Sequence, residues 1–520
     1  MKNKDKKQGR LITNMASYAV LQIVNMLVGL FLPRLYLAVY GSEVNGIIST
    51  VNSFISYFSY LEAGIGLTLM HSLFKPLAEN NVEQTNGILS YSRKQYRRIS
   101  EIYFILVVAL SLLFPIISSS DALSRWEFVS LVFVIGTYGA LDFFTMAKYR
   151  VLLTADRKEY VISNAFIVAQ LLRFCFVWLL LQFNISVVFV KIVPIFTLLV
   201  RSLILRIYIK RNYPKLDYGV PPTCDFSVTN NRWDALLLQI SINTSVSLPT
   251  IIISQVLGFK EANVYAVYSM IASTMISIVS ALSSGVAPKM GQNLSRGEEV
   301  TESYRIYDFT TSLIISIVFS TMVVMTIPFI KLYTSVVDDV NYIYPLYAVL
   351  ISVWAALYSY RIPMTAVINA AGIYRENRVS NIVNLIFQVV VGIVGAFFGG
   401  ISGLLVVMIF ASIQRNIWFA IVNSKCLLHN GVKLTMIYQC VIVLLIVANG
   451  LVAQKMMLKI EFSMFLWTLI AFVVFIIEVC ICLICFVVVD YSSAKLTWKK
   501  IRCYICLLYT SDAADDLLCV

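Results

Sequence analysis

Long apolar runs alternate with short polar connections along the whole chain. Fourteen runs reach membrane-crossing length: 12–39, 45–73, 99–119, 128–151, 160–182, 185–208, 234–257, 263–288, 308–332, 341–367, 379–398, 401–424, 434–454 and 463–489. A helix needs about 20 mostly apolar residues to cross about 30 Å of hydrocarbon. A backbone in lipid must satisfy its own hydrogen bonds, so each run is read as an α-helix. Pro33, Pro115, Pro194, Pro249, Pro328 and Pro363 lie inside the runs and predict kinks. The predicted fold class is an all-α polytopic membrane protein of about fourteen transmembrane helices, with the bilayer as its surroundings.

Charge placement supports that alternation. Of the 41 Lys and Arg residues, 30 fall in alternate segments starting with the N-terminal MKNKDKKQGR, five fall in the opposite loops, and six lie within the runs. This asymmetry is a positive-inside signal and predicts both termini on the cytoplasmic side. Every opposite loop is short. The longest polar connection, around Asn212–Asp234, falls on the basic side. The first run is too long for a cleavable signal peptide and has no small-residue cleavage site.

Composition narrows the class further. Of 520 residues, 59% are apolar and 13% charged, and mean hydropathy is +0.81. Soluble domains run at about 45–50% apolar and about 25% charged. A soluble enzyme, a disordered chain and a nucleic-acid-binding domain are excluded. The net charge of +13 is scattered in small clusters, so no nucleic-acid partner is expected.

The chain carries a weak internal repeat. At an offset of 217 residues Asn14 meets Asn231, Gln22 meets Gln239, Gly41 meets Gly258, Glu159 meets Glu376, Ser163 meets Ser380 and Asn164 meets Asn381. The offset carries the first run onto the seventh, which preserves orientation and predicts two lobes related by an axis along the membrane normal. The expected organisation is an N-lobe at 1–216, a C-lobe at 217–430, and two further helices with a cytoplasmic tail at 431–505. Substrate is expected between the lobes. Polar stripes recur on single helix faces: Asn14, Tyr18, Gln22 and Asn25; Gln239, Asn243 and Ser247; Asn381, Asn384 and Gln388. Such faces line a cavity or glue helices together.

Charges within the runs are functional candidates by default. They are Arg34, Arg173, Lys191, Arg201, Arg361 and Arg415 against Glu62, Asp142 and Glu478. A cationic excess suits an anionic substrate such as a diphosphate, which Arg grips as a fork and Lys as a point charge. Arg173 lies mid-run with Gln170 on the same face; the other five cations lie nearer helix ends, where snorkelling to headgroups competes. Gln22, Asn25, Gln239 and Asn243 complete the candidate cavity. Glu62, within LEAGIG, and Asp142 are candidates for ion coupling, Asp142 also for pairing with a nearby Arg. Two histidines, no metal-ligand spacing, no phosphate loop and no dinucleotide fingerprint leave no sign of an enzyme or a resident cofactor. The cysteines of the last run, Cys480, Cys482 and Cys485, read as small apolar residues.

Local motifs carry a family resemblance. They are YGSEVNGI, LEAGIGLTLMHSLFKPLAENN and YRVLLTADRKEYVISN in the first half, then SSGVAPKMGQNLSRG, YRIPMTAVINAAGIYRENRVSN and GGISGLLVVMIFASIQRNIW. In order and spacing, over about residues 10–490, they resemble the Wzx-type oligosaccharide flippases, the O-antigen and capsule repeat-unit translocases of the multidrug/oligosaccharidyl-lipid/polysaccharide (MOP) exporter superfamily.

The resemblance implies a protein of the bacterial inner membrane that flips undecaprenyl-diphosphate-linked oligosaccharide by alternating access. Arg173 and its basic neighbours would counter the diphosphate, and other polysaccharide-assembly membrane proteins are candidate partners. Na⁺, H⁺ or the membrane potential would drive the cycle; two charges moved through about 100 mV amount to about 4.6 kcal/mol. Two relatives of the same superfamily are the alternatives: a multidrug or cation exporter, which usually has twelve helices and an acidic cavity, and a flippase for the peptidoglycan lipid precursor. A membrane polymerase or ligase needs a sizeable outer loop, and none is expected here. Finally, CLLYTSDAAD at Cys506–Asp515 looks like translated sequencing adapter, so residues 506–520 are expected to be non-native.

Overall fold

A computed structural model describes residues 2–62, 65–217, 232–283, 301–371, 375–425, 432–456, 463–500 and 502. The tail at 506–520, His429 and nearly all of SSGVAPKMGQNLSRG lie outside the described residues. No strand occurs among the described residues. The helices run α1 Lys2–Phe58, α2 Ile65–Ala78, α3 Val82–Ile117, α4 Arg125–Thr145, α5 Ala147–Ala155, α6 Glu159–Leu181, α7 Val187–Val190, α8 Val193–Asn212, α9 Arg232–Val256, α10 Phe259–Ser283, α11 Thr301–Thr334, α12 Pro345–Ala371, α13 Arg378–Asn423, α14 Val432–Met456 and α15 Met464–Val489.

Among the described residues, eleven helical stretches are long and apolar enough to cross a membrane, where the sequence predicts fourteen. Two of the eleven are too long for one crossing. They span Thr13–Glu62 and Arg378–Asn423, 50 and 46 residues, which at about 1.5 Å per residue far exceeds about 30 Å of hydrocarbon. Both break at a glycine in the left-handed region, Gly41 (φ +76°) and Gly400 (φ +58°), which other residues rarely occupy.

Side-chain pairs show that the chain reverses at each break. In α13, Asn384 Nδ2 donates to the Ala411 carbonyl (2.8 Å) and to Gln414 Oε1 (3.1 Å). Gly395 packs on the backbone of Gly403, a close approach only glycine permits. These pairs centre near Gly399, so α13 is a helical hairpin. In α1, Asn14 binds the Arg157 carbonyl and the Tyr160 amide, Asn25 accepts from Gln170, and the Tyr40 hydroxyl donates to the Ile185 carbonyl. Thr13–Tyr40 therefore runs parallel to α6. Beyond Gly41 the chain descends along α3: Glu43 accepts from Ser120, Phe58 packs on Tyr103, and Glu62 accepts from Tyr96. The run expected at 234–257 is helical as α9.

Pro194 corrects a second expectation. It does not kink a continuous helix; it begins α8, where its missing N–H costs nothing. The expected run 185–208 is thus the short α7, a break at Lys191, and α8.

The chain divides into two compact units, Met1–Ala266 with Thr334–Asn341, and Val267–Tyr333 with Tyr342–Val520. In the first, α3 and α4 pack antiparallel. Gly136 seats against Val107 and Gly139 against the Tyr103 ring, where a side chain would collide. The Asp339 carboxylate caps the descending arm of α1 by accepting from the Ser42 amide (2.8 Å) and hydroxyl (2.5 Å). In the second unit, Asn416 and Asn423 of α13 donate to the Leu357 and Met364 carbonyls of α12. Arg305 of α11 holds Asp490, just past α15. Large apolar side chains face outward, Phe398 at 83% exposure and Val488 at 79%, as lipid-facing residues must. The protein is a multi-pass membrane protein.

Candidate functional site

In the first unit, two cations from separate segments act on one buried ring of α1. Tyr36 comes from the ascending arm of α1, Arg173 from α6, and Lys191 from the break between α7 and α8. Lys191 is 7% exposed, and its ammonium sits 3.7 Å above the centroid of the Tyr36 ring. That is a cation–π contact at close range, strongest where water is excluded. The Arg173 charge acts on both Tyr36 and Lys191. The Arg173 Nε and the Tyr36 hydroxyl are buried without a hydrogen-bond partner. No ion pair among the described residues involves Arg173 or Lys191. Arg34, two residues before Tyr36 on α1, lies half-buried. One turn before Arg173, Gln170 fixes α6 to α1 through its 2.8 Å bond to Asn25. Two cations whose charges act on one buried ring set up a positive potential that suits an anion.

The remaining sequence candidates fall into three other settings. Arg201, 2% exposed, is committed to an ion pair with Asp142, and its guanidinium lies 3.7 Å over the Phe166 ring. Asp142 also takes Arg150 at 3.0 Å. This triad joins α4, α5 and α8, so Arg201 and Asp142 neutralise each other. Beside Arg150, an open cavity of about 480 Å³ is lined by Ser59, Tyr60, Glu62, Tyr96, Arg150 and Gln239. Glu62 faces it while accepting the Tyr96 hydroxyl at 2.7 Å. In the second unit, Arg361 and Arg415 are 7% and 3% exposed. Arg361 lies 3.5 Å over the Tyr358 ring and its charge acts on Arg415.

The polar stripes separate in the same way. Gln22 is exposed, Asn25 is spent on Gln170, and Asn243 bonds back to the Gln239 carbonyl (2.9 Å). Asn381, Asn384 and Gln388 are buried inside the α13 hairpin and act as packing glue. Glu478 is buried and accepts from Asn449 (3.0 Å). Sequence reading missed the aromatic partners Tyr36 and Tyr358; Tyr358 lies three residues before Arg361, but Tyr36 is far from Lys191 in sequence. That reading also counted Arg150, at the end of the run 128–151, with the basic connections rather than with the charges inside the runs, and passed over Asp308, at the first position of an expected run.

The architecture matches solved transporters. A multidrug resistance MATE family transporter of the MOP superfamily, in an inward-facing conformation, superposes with TM-score 0.59 at 12% identity, covering 80% of this chain and 98% of that one. The fold is that of the MOP-superfamily transporters. The lipid II flippase MurJ, in an inward closed conformation, gives TM-score 0.61 at 14% identity over 92% of this chain and 99% of that one. A MOP superfamily transporter from Pyrococcus furiosus, described as having reverse polarity of its binding pocket, gives 0.53 at 12% identity over 81% and 95%. These neighbours are transporters and flippases rather than enzymes. No protein-family model and no curated protein matches the sequence.

Proposed function

We propose that this protein flips a lipid-linked oligosaccharide diphosphate of the undecaprenyl type across the bacterial inner membrane by alternating access, with both termini cytoplasmic. The observation that carries the reading is the cluster of Arg173 and Lys191 around Tyr36, a buried cationic site with no acid in an ion pair to it among the described residues. A diphosphate would add the missing negative charge. Arg173 would grip phosphate oxygens as a fork, Lys191 would act as a point charge, and Tyr36 would hold the ammonium in place. Arg34 would extend the cationic surface along α1. The sugars would meet polar groups such as Gln22, and the lipid tail would stay in the bilayer.

The motifs that resemble Wzx-type flippases support the oligosaccharide over a drug. So does the charge, since a site for cationic drugs needs acids where this one holds bases. The wider coverage by the lipid II flippase, against 80% by the MATE transporter, is of the size two further helices would add, and it favours a lipid-linked substrate. A peptidoglycan-precursor flippase is the second reading, favoured by that same coverage.

The test is a proteoliposome assay in which an impermeant glycan-modifying enzyme scores leaflet exposure. Undecaprenyl-diphosphate oligosaccharide, lipid II and a cationic dye are compared side by side. Flipping of the oligosaccharide above the other two supports the proposal. Dye export without lipid flipping overturns it, and preference for lipid II moves it to the second reading.

A further inference from the structure

The geometry points to Asp308 of α11 as a proton-binding site in the second unit, loaded and unloaded during the transport cycle. The inference rests on the transporter reading but not on which lipid is carried. Asp308 is 4% exposed, within a helix of membrane-crossing length. Its Oδ1 has no hydrogen-bond partner. Its Oδ2 accepts one long bond, 3.4 Å from the Tyr360 hydroxyl of α12. The other titratable groups whose charges couple to it are Tyr304 and Tyr307 on α11 and Tyr438 on α14, all neutral phenols at physiological pH. Among the described residues, no Lys or Arg forms an ion pair with it.

The nearest basic residue in sequence is Arg305, one turn earlier. It faces Asp490 (3.2 Å), Ser492 and Ser493 (2.6 Å) instead. Asp490 also accepts from Tyr438 (2.8 Å). That cation is therefore already matched by another acid. A buried carboxylate with neither a cation nor a full set of donors is among the most costly groups a membrane protein can hold. As a neutral acid it costs far less. One proton on one oxygen resolves the mismatch; a metal ion needs several ligands, and no group of three or more His, Cys, Asp or Glu side chains that could hold one occurs among the described residues.

The surroundings also supply a polar route. Asp308, Ser312, Ser316 and Ser320 recur every four residues on one buried face of α11, from 0% to 4% exposed. The first two hydroxyls bond back along the helix, Ser312 to the Asp308 carbonyl (2.6 Å) and Ser316 to the Ser312 carbonyl (2.9 Å). The stripe covers about 18 Å at about 1.5 Å per residue, more than half of the span. The chemistry is a single exchange: the carboxyl gives its proton to water and takes one back, and no other bond changes.

Infrared difference spectra of the purified protein test the site without any substrate. Wild type should show a protonated-carboxyl C=O stretch that Asp308→Asn removes and Asp308→Glu restores at a shifted position. Absence of any such band assignable to Asp308, from mildly acidic to mildly alkaline pH, overturns the inference and leaves the transport reading intact. In proteoliposomes a gradient of about one pH unit should change wild-type flipping by up to about tenfold per coupled proton. Asp308→Asn should still flip, with that response gone. An unchanged response in Asp308→Asn also overturns the inference. If no lipid is flipped by wild type, the transport reading fails and the infrared band still decides the site.

Discussion

Removing Asp142 isolates the largest electrostatic commitment in the first unit. Its carboxylate holds Arg150 at 3.0 Å and Arg201 in a shorter contact, with side-chain exposures of 30% and 2% for the two arginines. At 3.0 Å and an effective dielectric of about 20, one such attraction is about 5 kcal/mol before desolvation. Asp142→Leu leaves Arg201 buried against Phe166 with no counter-charge, which costs about 3–5 kcal/mol. Arg150 loses less, since it faces the open cavity. A domain of about 250 residues shifts by about 2 °C per kcal/mol, so the variant should melt roughly 6–10 °C below wild type. Replacing the pair with apolar residues is about neutral, so Asp142→Leu with Arg201→Met should regain most of the loss. Heating in detergent, followed by fluorescence-detected size exclusion, reads both. The reasoning fails if Asp142→Leu melts with wild type, or if the double variant is no better than the single one.

Two further predictions concern packing and pH. Gly46→Ala should abolish folding, because its Cβ would collide with the Phe259 carbonyl, whereas Gly29→Ala meets nothing within 4 Å and should gain about 0.5–1 kcal/mol of helix stability; recovered monodisperse protein and melting temperature separate the two. At Asp490, outside the spans, burial acts to raise the carboxyl, but hydrogen bonds from Ser493, Tyr438 and Ser492 outweigh it and hold it well below the usual carboxylate range. A depressed carboxyl contributes stability above its unfolded value and loses it as pH falls, so the deficit of Asp490→Asn at neutral pH should shrink below about pH 4.

Much of the fold was legible because bilayer thickness fixes helix length. Apolar runs marked the helices, and the separations at Gly41 and Gly400 were visible as gaps between runs. The short α7 was not, because Val187–Val190 and α8 are both apolar and only Pro194 divides them. The site was legible in residue type but not in arrangement. Six cations within runs look alike in sequence. Only packing shows that Arg201 is neutralised by Asp142 while Lys191 stands over Tyr36. The Asn381, Asn384 and Gln388 stripe has the spacing of a cavity wall yet serves the hairpin interface. Asp308 was passed over because a charge at the edge of a run reads as a headgroup residue until its burial is seen.

The central claim is that Arg173 and Lys191 bind the diphosphate. Its most direct test is leaflet flipping of labelled undecaprenyl-diphosphate oligosaccharide by Arg173→Ala and Lys191→Ala, with Gly29→Ala as a folded control. A hydrogen bond to a charged group is worth about 1.5–3 kcal/mol, so each basic-site variant should lose about tenfold to hundredfold in rate. The control should flip as wild type does. Arg173→Ala and Lys191→Ala proteins that remain monodisperse and flip at the wild-type rate would contradict the account.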